Sequence, residues 1–351
     1  MRPTTPIAWP SPLAPLAVIC AVVVTCTLIS AGAVSRAGAA VIGPGAHQPT
    51  VPSVLAQPAE ATDAQQAQAL RYWTAARMAA ARPLGPPRRL TASQARPAGA
   101  TRQSRARAPS PGTGRRAAIR RETSTADWPG GGAVARTTGK VFFTMDRHDY
   151  VCSGASVTSA NADVVVTAAH CVKNGTGSWA SNWAFVPGYA DGTRPYGTWT
   201  ARQFFVASQW SQAADDNDDV AFVTLNPQAS GGQSALIGHV VGGQAIAFGS
   251  QPSQEYAFGY PAEPPYGGGA LYYCSGRTRP DGYRASEDTG LHCDLTAGSS
   301  GGPWLSAFNP ATGTGTITSV SSFKYSTDQA TLWGPPLGPT AQALFDQAQQ
   351  N

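Results

Sequence analysis

From about Gly139 onward the chain is a series of short apolar runs rich in Val, Phe, Tyr, Trp and Thr, each closed by Gly, Pro, Asn or Asp. That punctuation predicts strands at Val141–Thr144, Tyr150–Val157, Val164–Ala168, Trp183–Val186, Arg202–Val206 and Asp219–Leu225. Beyond the Gly-rich stretch 231–243 it predicts others at Gln244–Phe248, Glu255–Gly259, Tyr272–Ser275, Leu291–Leu295, Trp304–Phe308 and Gly315–Phe323. The pattern is that of an all-β barrel or sandwich. One run has a different period: Ala341, Leu344, Phe345 and Ala348 form a stripe that predicts a C-terminal helix over Thr340–Gln349.

The N-terminal third lacks this texture. Leu16–Val34 is almost continuously apolar and is followed by small-residue sites, which reads as an export signal over residues 1–39; its length also suits a retained membrane anchor. Residues 40–125 are rich in Ala, Pro, Gln and Arg, a composition that buries too little apolar surface to fold alone and reads as a largely disordered propeptide or linker. Within it Glu60–Ala81, with Leu70, Tyr72, Trp73 and Met78, predicts a short helix docking on the strand-rich part of the chain.

Two strings carry chemistry. Gly298-Ser299-Ser300-Gly301-Gly302 offers a hydroxyl on a tight glycine turn, where the N–H groups of Gly298 and Ser300 can receive a developing oxyanion. Val164-Val165-Val166-Thr167-Ala168-Ala169-His170-Cys171 offers a base at the end of a buried strand, with small alanines leaving room for the imidazole. A carboxylate that orients such a base must be buried. Asp219 fits, because the acidic run from Asp215 ends there against Val220–Leu225; Asp218 is its rival, and Asp215 and Asp216 read as solvated.

The order His170, Asp219, Ser300 and the residues around each resemble the chymotrypsin and trypsin superfamily, over roughly Gly139 to the C-terminus. The resemblance implies a serine endopeptidase built from two antiparallel six-stranded barrels (about 135–235 and 240–338, within a protease domain 126–351), with the three residues in the cleft between them. Ser299 stands where most animal members carry aspartate, so the activation switch of those enzymes is not expected; the sequence looks more like secreted bacterial members, including the glutamyl-endopeptidase-like branch. Asp294, six residues before Ser300, occupies the place of the trypsin-like specificity aspartate, where it either selects Arg and Lys or plays a structural part. Ser319-Val320-Ser321 matches the segment that binds the substrate backbone, and Thr318 replaces the histidine of glutamate-specific members. The family mechanism implies no metal and no cofactor, and members that lose a catalytic residue become inactive binding proteins.

Cysteine usage and charge refine the picture. Cys20 and Cys26 lie in the apolar leader, leaving Cys152, Cys171, Cys274 and Cys293; the resemblance implies Cys152–Cys171 and with it Cys274–Cys293, each bridge contributing roughly 3 kcal/mol. Disulfides fit an exported, extracellular chain. The formal charge of +5 hides a division: from Glu122 onward there are ten Lys/Arg against eighteen Asp/Glu, a balance of −8, so the basic excess belongs to the leader. The basic part has no aromatic interleaving, which argues against nucleic acid as a partner. Opposite charge suggests a propeptide docked on an acidic protease before activation, with a cut near Arg115-Arg116 or Arg120-Arg121 and a mature N-terminus between Arg116 and Gly132. Partners are otherwise protein or peptide substrates, and the enzyme is expected to be a monomer without an obligatory membrane.

Overall fold

The computed structural model describes residues 53–85, 122–230, 233–283 and 285–351. The apolar run at 16–34 and both basic pairs lie outside these residues. No helix among the described residues is long and apolar enough to cross a membrane.

Residues 53–85 are ordered as β1 (Val54–Pro58), α1 (Asp63–Tyr72), α2 (Ala75–Ala80) and β2 (Arg82–Pro83). This part of the leader, expected to be one helix in a disordered stretch, is two short helices between two strands. Thr62 starts α1 through a capping box with Gln65. The helix breaks at Trp73, and the Thr74 side chain recaps the chain by accepting from the Arg77 N–H.

Next come β3 (Thr123–Asp127) and α3 (Gly132–Thr137), then β4 (Thr138–Met145), β5 (His148–Ser156), β6 (Val164–Thr167), β7 (Ser181–Pro187), β8 (Trp199–Ala207), α4 (Ser208–Ala213) and β9 (Ala221–Leu225). The β4–β5 hairpin turns through Asp146 and Arg147, both with positive φ. Pairing runs β8-β7-β4-β5-β6-β9 and returns from β9 to β8, which closes a six-stranded antiparallel barrel. Its interior is filled by Val141, Phe143, Val165, Trp183, Phe185, Phe204 and Val223, all buried. β4 is apolar at consecutive positions because both faces are covered: Val141 and Phe143 point inward, while Phe142 lies outside among Val151, Ala184 and Val186 and is buried by Trp73 and Met78 of the leader.

The second half holds a β10–β11 hairpin (Gln228–Ser230, Gln233–Ala235), α5 (Ile237–Val241), β12 (Ala245–Ile246), β13 (Gln254–Gly259), β14 (Tyr272–Pro280), β15 (Thr289–His292), β16 (Pro303–Asn309), β17 (Thr314–Val320), β18 (Phe323–Tyr325), β19 (Asp328–Gly334) and α6 (Pro339–Gln349). Its sheet is ordered β12-β17-β16-β13-β14-β15-β19-β18, with the leader-proximal β3 added to β14. An isolated bridge joins Ser319 of β17 to Pro336, two residues beyond β19. Ala257, Cys274, Leu291, Cys293, Leu295, Trp304 and Leu332 form its core. A third cluster, with Phe205, Phe222, Phe258, Leu305 and Val320, welds the two halves. The four stripe residues of α6 are all buried, and Phe345 packs on Phe222 (5.4 Å between ring centres) and Phe248 (5.6 Å).

Candidate active site

β6 leads into the candidate base, His170. After its last residue Ala168 and Ala169 are fully buried and the chain tightens into a single turn at Ala169–Cys171, leaving His170 partly exposed. Asp219 sits just ahead of β9, only 2% exposed. Its Oδ1 accepts from the His170 backbone N–H (2.9 Å) and its Oδ2 lies 2.7 Å from His170 Nδ1. The Ser322 hydroxyl donates to the same Oδ2. Burial alone disfavours charge on both groups. Their mutual attraction overrides it, so the imidazole is held above its ordinary value and the carboxyl below its own. His170 Nε2 is buried and has no hydrogen-bond partner among the described residues. Asp218, the rival carboxylate, is instead bonded to Thr340 and raised to about 6 by burial and by Asp215; Asp215 caps its own turn by accepting from the Asn217 N–H (3.1 Å).

The glycines around Ser300 are there for space as well as for backbone freedom. Gly298 has φ +95° and a Cβ there would lie 2.8 Å from Tyr260 O; Gly301 has φ +78° and a Cβ there would lie 2.5 Å from Ser153 O. Ser153 of β5 ties this loop to the first barrel. Its N–H donates to Ser300 O (2.7 Å), its hydroxyl donates to Gly298 O (2.9 Å) and accepts from the Tyr260 N–H (2.9 Å), and its carbonyl accepts from Thr167 Oγ1 (2.8 Å). Cys152, beside it, is bridged to Cys171, beside His170, and Cys171 Sγ lies 3.8 Å from Ser300 O. The base and the hydroxyl are thus carried on directly connected pieces of backbone. The second bridge, Cys274–Cys293, closes the core of the other half.

A carbonyl of the leader lies at the glycine turn: Leu84 O accepts from the Gly298 N–H (3.2 Å) and from Ser300 Oγ (3.3 Å). The cavity beside Ser300 is lined by Leu295, Thr296, Ala297, Ser322, Phe323 and Lys324, with Gly85 and Glu263 also on its wall.

Asp294 is not among the residues lining that cavity; its backbone N–H is bonded to Ser124 O (2.8 Å) in β3. The cation Lys324 is on the wall instead, donating to Cys293 O (2.8 Å) and Gln329 O (2.7 Å), and burial draws its ammonium down to about 8. Ser319, Val320 and Ser321 are buried rather than facing the cavity. Ser319 Oγ donates to Pro335 O (2.9 Å), Val320 pairs with Pro303, and Ser321 accepts from the Gly301 N–H (2.7 Å), so this segment props the serine loop. The wall begins one residue later, at Ser322. Thr318 is bonded to Glu255, whose carboxyl burial pushes up to about 8. The sequence reading missed Ser322, Phe323, Lys324 and Leu84. The alternation of small residues through Ser319–Ser322 carries no signal that fixes where the sheet ends and the wall starts.

Comparison with known proteins decides the family. A model of the trypsin-like peptidase domain matches residues 152–310. The crystal structure of the protease Anisep from Arthrobacter nicotinovorans is 37% identical, with 62% of this chain and 96% of that one aligned at a TM-score of 0.58. The chain belongs to the chymotrypsin/trypsin-like serine protease superfamily. A thermostable serine protease, AL20, from an extremophilic microorganism is 35% identical over 62% of this chain and 99% of that one, at a TM-score of 0.57. A Glu endopeptidase structure, 19% identical at a TM-score of 0.51, shares the fold.

Within this trypsin-like family the curated match carries a discordant name. An "Extracellular metalloprotease" of Bacillus subtilis (strain 168) is 36% identical over 77 residues, 22% of this chain, so that the chain spans about a quarter (24%) of that protein. The one His/Cys/Asp/Glu grouping of metal-ligand size among the described residues is Cys152, His170 and Cys171. Its two sulfurs are joined in a disulfide and are not thiolates, which leaves a single imidazole. These residues do not fit a metal centre.

Proposed function

We propose that the chain is a secreted serine endopeptidase that cleaves peptide bonds through Ser300, His170 and Asp219. The supporting observation is the arrangement of His170: Nδ1 is held by the buried Asp219 carboxylate, and the opposite nitrogen, Nε2, is left without a partner on the connected side of the Ser300 loop. Asp219 fixes the tautomer with the proton on Nδ1, so Nε2 is the basic atom. It takes the Ser300 proton as Oγ attacks the substrate carbonyl, and the oxyanion is received by the N–H groups of Gly298 and Ser300. Nε2–H then protonates the leaving amine, an acyl-enzyme remains on Ser300, and water activated by the same nitrogen releases the acid. The carbonyl of Leu84 on the Gly298 N–H supports the assignment of that donor. Secretion is supported by the two disulfides and by the extracellular relative.

The test is labelling of the matured protein with a fluorophosphonate and digestion of a protein substrate. Modification at Ser300, with loss of both signals in Ser300→Ala, is the expected result. Hydrolysis that survives Ser300→Ala, or a Ser300 that stays unlabelled once the leader is removed, as in an inactive binding relative, overturns it.

A further inference from the structure

Residues 53–85 cover the protease half in five ways. β1 pairs antiparallel with β8 from Val54–Ala207 to Pro58–Gln203. Glu60 then enters the barrel rim, where Oε1 accepts from the Trp183 N–H (3.1 Å) and its carbonyl accepts from Asn226 Nδ2 (2.8 Å). Trp73 (1% exposed) and Met78 (4%) bury the outer face of β4, β5 and β7, with the Trp73 ring 5.5 Å from Phe142 and its indole N–H on Asn182 O. Tyr72 and Arg77 meet Asp149 at 2.7 and 3.3 Å. Finally β2 lies parallel to β5, the Leu84 N–H donates to Val151 O (3.0 Å), and Leu84 O reaches Gly298 N–H and Ser300 Oγ.

Two features distinguish this from a substrate in place. The carbonyl on the Gly298 N–H belongs to Leu84, yet the Leu84 side chain packs against the first barrel's core cluster, and the cavity beside Ser300 is met by Gly85, which has no side chain to place there. The Gly298 N–H and the Ser300 hydroxyl are occupied, while the pocket that would hold the acyl-side residue receives no leader side chain. The outer face that Trp73 and Met78 cover is also an apolar patch of Phe142, Val151, Ala184 and Val186, joined there by Tyr189 and Tyr260 of the protease half.

We propose that residues 53–85 are an inhibitor whose binding surface outlasts the cut: after cleavage between residues 85 and 122 the leader stays on the protease half as a separate polypeptide and silences Ser300 through the Leu84 carbonyl. This rests on the endopeptidase reading above. The apolar anchors supply the affinity and the carbonyl supplies the block, so the block can be lost while the peptide stays bound. The strand β3 at Thr123–Asp127 belongs to the second sheet and places the cut ahead of Thr123.

The test starts from the full chain with a foreign protease site inserted between residues 85 and 122. It is cut in the native state, and its Ser300 is followed by the rate of fluorophosphonate labelling. The cut leader is expected to co-elute with the protease half on gel filtration and labelling to stay slow. Labelling should rise at least about a hundredfold when the leader is stripped off, and should fall again when synthetic 53–85 is added. In that added peptide Trp73→Ala should weaken inhibition at least about thirtyfold, as an interface anchor does. Leu84→Pro, which removes the N–H given to Val151, should leave the peptide bound by fluorescence anisotropy while labelling recovers. A leader that elutes apart on cutting, or that remains bound while Ser300 is labelled at the stripped rate, overturns the proposal. Failure of the endopeptidase reading registers separately, as a protease half that stays unlabelled with the leader gone.

Discussion

Asp219 gives both of its oxygens to one residue: Oδ1 to the His170 backbone N–H at 2.9 Å and Oδ2 to the His170 ring at 2.7 Å. The carboxylate therefore sets the position of the backbone as well as the tautomer of the side chain. Ser322, from the other half of the molecule, completes its coordination.

The proposed mechanism needs a neutral imidazole, and His170 is held above its ordinary value by Asp219 against the effect of burial. The acid limb of kcat/KM for the stripped enzyme is thus expected to have its midpoint above about 6.5. Asp219→Asn removes the attraction and the tautomer control together, so the midpoint should move down and the plateau fall by about 10⁴. A pH–rate profile of both proteins checks this.

Gly301→Ala places a methyl against Ser153 O and Thr167 Oγ1 at a backbone conformation, φ +78°, that alanine disfavours. A loss of about 2–4 kcal/mol is expected, together with loss of labelling at Ser300. Thermal unfolding and fluorophosphonate reaction measure the two.

Docking of the leader should weaken as pH rises. Glu60 is raised from 4.5 to about 7 by burial, and its partners are amides. Undocked it ionises near 4.5; docked it stays protonated until about 7. The docked state loses affinity across that window and is level above it, by roughly 3 kcal/mol in all. The inhibition constant of peptide 53–85 measured from pH 4 to 9 should follow that curve, and Glu60→Gln should flatten it.

Arg and Lys on the acyl side of the cut should be poor substrates, because Lys324 already places a cation on the pocket wall and Asp294 is not among the residues lining it. Peptides with these residues are expected to react at least about tenfold more slowly than those with Leu or Phe. The discrimination should shrink above pH 8, where Lys324 loses its charge, and in Lys324→Met. A peptide panel at two pH values decides it.

Much of the frame was readable in the amino-acid order. Val164–Val166 announced the buried strand ahead of His170, and Ala341, Leu344, Phe345 and Ala348 announced α6, because in each case the local period matches the face that is buried. What escaped the reading depends on partners far away in sequence. β1 and β3 are short and mixed in polarity, and become strands only by adding to β8 and β14. Asp294 and Lys324 exchange places at the cavity because backbone carbonyls at 293 and 329 hold the lysine there. In Ser319–Ser322 the end of the sheet is set by Ser321 bonding the serine loop, a contact no local pattern encodes.

Ser153 has a further consequence. Its backbone and hydroxyl are shared among β6, the Gly298–Ser300 turn and Tyr260, so the reactive turn takes its shape only after both halves of the polypeptide have come together. A nascent molecule with one half still unfolded carries Ser300 and His170 but not the turn that Ser153 shapes.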